Sequence, residues 1–149
     1  MAAWSILAEI GTNLRQFPTA HHLASWAGVC PGNRESGGKR LSGKTRKGSS
    51  WLRQKLCQAA WAASRTKHTY LALLFQRIAT RCGRKRAIVA MSHALLVICY
   101  YLLDRHCPYQ DVGGNYFDQL NRDGLPRYFV KRLTKLGHAV TLTPAVETA

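Results

Sequence analysis

The stretch from Ala87 to Leu103 constrains the fold most. It reads AIVAMSHALLVICYYLL, 17 residues in which only Ser92 and His93 are polar. A helix this apolar on every side must be buried, either in a bilayer or at the centre of a helical core. Seventeen residues is the lower limit for a membrane span. Arg84, Lys85 and Arg86 precede the run, and Asp104 and Arg105 follow it. The flanking sequence carries amphipathic helical patterns that need something to pack on. The core-helix reading is therefore preferred, with a single membrane span as the alternative.

The patterns on either side predict an all-α domain of about five to seven helices. Ala2 to Ile10 reads as a short helix stopped by Gly11. A second opens after Phe17-Pro18 with Thr19 as cap and ends before Gly28. Ser49 or Ser50 caps a helix from about Trp51, with Leu52, Leu56, Ala59, Ala60 and Ala63 on one face. Thr69 starts another, with Leu71, Leu74, Phe75, Ile78 and Cys82 inward and Gly83 at its end. Tyr116, Phe117 and Leu120 suggest a short helix. Pro126 suits the first turn of a last one, with Phe129, Val130, Leu133 and Leu136 inward and Gly137 at the stop. Ala139 to Thr143 is a possible short strand with no partner in the chain.

Between the second and third helices lies a different kind of sequence. From Arg34 to Arg53 the chain holds seven of its 22 Lys and Arg residues, one acid, four serines and four glycines. No regular element buries such a segment, so residues 31–50 are expected to form an ordered basic loop. The whole chain carries 22 basic and 7 acidic residues, a formal net charge of +15. A charge of that size attracts polyanions, nucleic acid first among them. Cys30, Cys57, Cys82, Cys99 and Cys107 have no metal-like spacing and read as reduced thiols. The N-terminus has no secretory signal pattern. The expected location is the cytoplasm.

Familiar catalytic constellations are lacking. There is no Walker loop, GxGxxG or HExxH, and the acids Asp111, Asp118 and Asp123 stand at spacings no metal loop uses. His21-His22 could touch phosphate but reads first as surface or capping, His93 as a core histidine, and His106 as a helix cap. The loop remains. Ser36-Gly37-Gly38-Lys39-Arg40 places a hydroxyl beside two residues whose bare backbone can approach a phosphate closely. Arg34, Lys39, Arg40, Lys44, Arg46, Lys47 and Arg53 supply cations along a nucleic-acid strand. Composition alone leaves Ser36 more a phosphate ligand than a nucleophile, and Ser42, Ser49 and Ser50 weaker still.

Several runs stand together in a specific order: Ile6 to Gly11, Phe17 to Gly28, Cys30 to Arg40, Arg46-Lys47-Gly48, Trp51-Leu52-Arg53, Gln58 to Ala63 and Thr141 to Pro144. In that order they resemble the C-terminal transposase domain of the bridge-RNA-guided insertion-sequence transposases. The resemblance spans nearly the whole chain, with residues 1–144 as the domain and 145–149 as tail. It implies a DNA-binding recombinase domain whose serine attacks a DNA phosphodiester, and that serine maps onto Ser36. It also implies DNA and a guide-like bridge RNA as partners, homo-oligomers, and a nucleoid-associated protein of a bacterium or archaeon. In the family a resolvase-like N-terminal domain bears four acids that would hold magnesium. Neither that domain nor the glycine hairpin that precedes the first helix in the family is in this sequence. The expectation is a truncated member that has no cofactor of its own and binds nucleic acid without recombining alone. A non-catalytic nucleic-acid-binding module is the alternative.

Overall fold

The computed structural model describes residues 2–32, 34–122 and 124–143, with the backbone alone at Ala2, Arg34 and Arg40. Asn33, Asp123, Pro144 and the tail at 145–149 lie outside the described residues. Two compact units are present, Met1–Gly114 and Asn115–Ala149.

The first unit holds helix α1 (Ala2–Ile10), a 3-10 turn (Leu14–Gln16), α2 (Ala20–Trp26), strands β1 (Arg34–Ser36) and β2 (Lys39–Ser42), and helices α3 (Ser50–Ser64), α4 (Tyr70–Cys82) and α5 (Arg84–Arg105). The apolar run is the middle of α5. Around α5 pack α2, α3 and α4, while α1 packs on α3. By length and composition α5 could cross a membrane, and a third of its apolar window is buried. Its inner face is built into two clusters. Leu96 and Tyr100 join Ile6, Ile10, Phe17, Leu23, Leu52 and Leu56. Ile88 and Met91 join Ala60 and Leu71. Each large side chain so buried contributes roughly 1.5–3 kcal/mol. The polar atoms on this face are satisfied. Buried Ser92 donates through Oγ to the Ile88 carbonyl at 2.8 Å, and Tyr100 through its hydroxyl to the Phe17 carbonyl at 3.0 Å.

Local chemistry sets the helix ends. Ser49 is the cap of α3, its Oγ accepting from the Leu52 N–H at 3.3 Å. Thr69 caps α4 through the Ala72 N–H at 3.3 Å, and Asp111 accepts from the Tyr70 N–H at 3.0 Å. Asp111 thus serves a helix start. Thr19 precedes α2 but makes no side-chain cap; its hydroxyl meets His22 Nδ1 at 2.8 Å.

The second unit holds α6 (Tyr116–Leu120) and α7 (Gly124–Lys135). The inward face expected for α7 is not formed. Val130 is half-buried, but Phe129 is 54% exposed, Leu136 68% and Leu133 39%. Among the described residues of its own unit the other helix is the five-residue α6, too short to cover four large side chains. Residues 138–143 form no strand. The sequence alternation there has no neighbouring strand to pair with, and unpaired backbone does not hold strand structure.

Candidate nucleic-acid interface

The basic segment is ordered because it is fastened at both ends. After α2 the chain turns at Gly28, with φ +69°, and Val29 is buried. Gly48 returns against this turn. A Cβ on Gly28 would stand 2.8 Å from the Gly48 nitrogen, and one on Gly48 would stand 2.6 Å from the Trp26 carbonyl oxygen. Only two glycines allow that approach. Closer to the tip, the Gly32 N–H donates to the Lys44 carbonyl at 3.1 Å. At the exit, Ser49 Oγ donates to Glu9 Oε1 on α1 at 2.9 Å.

Between these ties the segment is not an irregular loop. It forms an antiparallel hairpin with Arg34 opposite Ser42, Glu35 opposite Arg40 and Ser36 opposite Lys39, and an irregularity between Arg34 and Glu35. Gly37 and Gly38 make the two-residue turn with φ +56° and +74°. Positive φ at both central positions is the turn whose twist suits a hairpin. Glycine permits it, so strands of three and four residues pair where composition alone points to a loop.

Ser36 is therefore the last residue of β1, exposed, at the hairpin tip. Lys39 stands directly opposite. Directly opposed residues project on the same face with Cβ atoms about 4.5–5.5 Å apart. Among the described residues nothing lies within 4 Å of where a Cβ on Gly37 or Gly38 would stand. A phosphate can thus come against this backbone from the open side. Arg46 and Lys47 are exposed on the returning segment. Arg34 and Arg40 lie in β1 and β2, and their side chains are outside the described residues.

A second feature brings distant cations together. A cleft of about 1270 Å³ is lined by Lys44, Arg53, Lys85, Arg86, His21 and His93. Its apolar wall includes half-buried Val89 and Ala90, over buried Val29, and among the described residues no Asp or Glu lines it. The rings of His21 and His93 are 6.4 Å apart. Burial, and then the facing His21, hold the His93 imidazole below its ordinary value. His93 is thus a half-buried cleft residue rather than a core histidine. Of the sequence-derived site residues, Lys44 and Arg53 reach this cleft, whereas Ser36, Lys39, Arg46 and Lys47 do not line it. Sequence reasoning passed over Lys85 and Arg86, ranked a surface or capping role for His21 above a phosphate contact, and placed His93 in the core. The Arg84-Lys85-Arg86 run was the available signal, and it reads equally as the flank of an apolar helix.

The outer face of α3 adds aromatic and basic groups. Lys55 Nζ lies 5.0 Å from the Trp51 ring centre, and the Arg65 guanidinium 5.7 Å from that of Trp61. Among the described residues no group of three or more His, Cys, Asp or Glu is placed to hold a metal ion.

Residues 1–76 match the family model described as Transposase IS116/IS110/IS902 family. That is half of the 149 residues, and it contains α1, α2, the whole hairpin and α3. The chain belongs to the Transposase IS116/IS110/IS902 family. Membership in this transposase family gives the chain a transposase or recombinase role and an interaction with DNA. It also supports the insertion-sequence origin suggested by the order of motifs. Comparison with curated proteins and with solved structures gives no match.

Proposed function

We propose that the chain is the serine-bearing DNA-binding domain of an insertion-sequence transposase and that Ser36 is its nucleophile. The observation that carries this reading is the position of Ser36. It is exposed at the end of β1, opposite Lys39 and beside two glycines with open space around them. In the reaction Ser36 Oγ attacks the phosphorus of a DNA phosphodiester. One O–P bond forms, one P–O bond to a deoxyribose breaks, the serine gives up its proton and the departing oxygen takes one. The product is a phosphoserine ester, which a free hydroxyl can reverse without a nucleotide cofactor. The chain contributes charge and position. Lys39 offsets charge growing on the phosphoryl oxygens, and Lys44, Arg46, Lys47 and Arg53 hold the strand.

By resemblance the carboxylates that hold magnesium belong to a resolvase-like domain, and we place that domain among the partners. A guide-like bridge RNA, further copies of the chain and a cytoplasmic, nucleoid-associated location complete the proposal.

A non-catalytic nucleic-acid-binding module is the second reading, favoured by the cationic cleft of Lys44, Arg53, Lys85 and Arg86. The two readings separate when a resolvase-like domain, the element's RNA and its DNA ends are supplied to the purified chain. A covalent protein–DNA adduct on a denaturing gel that Ser36→Ala abolishes supports the nucleophile. Equal adduct from both proteins refutes it.

A further inference from the structure

The cleft asks for a ligand of its own. It combines two chemistries that a phosphate track does not need together. Lys44, Arg53, Lys85 and Arg86 supply cations from the returning hairpin segment, α3 and the first turn of α5. Val89 and Ala90 supply an apolar wall between them. The cations of α5 stand at its N-terminal end, where the helix dipole is already positive, and Gly83 gives no side-chain cap. That arrangement is relieved by an anion, and among the described residues no carboxylate lines the cleft to serve as one.

We infer that this cleft receives an unpaired nucleotide of a nucleic-acid strand, its base on the Val89–Ala90 wall and its phosphate among Lys85, Arg86, Arg53 and Lys44. The volume exceeds the roughly 300–1,000 Å³ of ordinary small-ligand pockets, so a nucleotide with its flanking phosphates fits. A duplex hides its base faces by stacking and satisfies only the cationic half of the cleft. An extrahelical or single-stranded nucleotide satisfies both halves. The inference rests on the nucleic-acid reading above and adds a strand form and a location distinct from the hairpin tip. It gives the domain a means of holding a strand whose pairing has been opened while the tip acts on a phosphodiester elsewhere.

The test uses the full chain with a labelled ten-nucleotide single strand and a blunt duplex of the same sequence, read by fluorescence anisotropy. Val89→Trp fills the wall, and the double variant Lys85→Ala/Arg86→Ala removes exposed cations without touching the core. Circular dichroism and thermal unfolding check that each folds. Val89→Trp is expected to weaken single-strand binding at least fivefold while changing duplex binding less than twofold. The double variant is expected to lower the salt slope for the single strand by about 0.7 for each phosphate it no longer neutralises. Lys47→Ala, outside the cleft, should weaken both forms alike. If the wild type binds both forms and the cleft variants treat them alike, the nucleotide site is overturned while the DNA reading stands. If the wild type binds neither at low salt, both fall. Competition by a free mononucleotide as strong as by the strand would also overturn the strand assignment.

Discussion

Ser49 and Glu9 are 40 positions apart in sequence and are joined by a hydrogen bond of 2.9 Å. The same Ser49 hydroxyl oxygen accepts from the Leu52 N–H. One side chain thus starts α3 and fastens the end of the basic segment to α1. Ser49→Ala loses the cap, worth about 0.5–2 kcal/mol, and the bond to Glu9. A total loss of about 2 kcal/mol is expected in urea unfolding, since a bond to a charged group adds roughly 1.5–3 kcal/mol before relaxation. Glu9→Gln keeps an acceptor and should cost clearly less.

The approach of Gly28 to Gly48 makes a second prediction. Gly48→Ala puts a methyl group into the Trp26 carbonyl, and Gly28→Ala adds strain at a positive φ. Either should detach the segment. Limited proteolysis at Arg46 and Lys47 is expected to speed up in both variants, whereas Gly113→Ala, strained by its own positive φ but with no described atom within 4 Å of its Cβ, should leave cleavage there unchanged.

Deep in the core, Leu96 is fully buried between α5 and its neighbours. Leu96→Ala is expected to destabilise the fold by about 2–5 kcal/mol through lost transfer energy and a residual cavity. A drop below about 1 kcal/mol in chemical unfolding would place α5 outside the core and return it to the membrane alternative.

The cleft makes stability depend on pH. His93 is held below its ordinary value of 6.5 by burial and by His21, with Lys85 and Arg86 also lining the cleft. The unfolded chain takes up a proton at this position below about pH 6.5, and the folded chain resists it. Stability from this group is therefore complete above about pH 6.5 and falls as pH is lowered through that value toward the folded one. His93→Gln removes that dependence. The stability difference between wild type and variant should shift in the variant's favour between about pH 7 and pH 5 in parallel urea titrations.

Much of the helical frame was legible because its signals are local. Ser49 and Thr69 cap where hydroxyls precede apolar periodicity, and Gly83 divides α4 from α5. The hairpin was not legible. Strands of three and four residues carry little pattern, and the cross-strand pairs across Gly37-Gly38 have no counterpart in periodicity. Phe129, Leu133 and Leu136 mark an amphipathic α7 correctly as a pattern, but a pattern does not show whether anything covers it. The cleft escaped notice for a related reason. Lys44, Arg53 and Lys85 meet only after α3 and α5 have packed, and no stretch of sequence holds them together. Ser36 was singled out by a resemblance of ordered motifs, and the fold adds that it sits at an exposed tip opposite Lys39.

The most direct measurement is the site of covalent attachment. The chain is reacted with the element's DNA ends and RNA in the presence of a resolvase-like domain, digested with nuclease and trypsin, and analysed by mass spectrometry. The account predicts a nucleotide phosphoester on the peptide from Glu35 to Lys39, carried by its only hydroxyl residue, Ser36. Attachment at Ser42, Ser49 or Ser50, or an adduct that persists in Ser36→Ala, would contradict it.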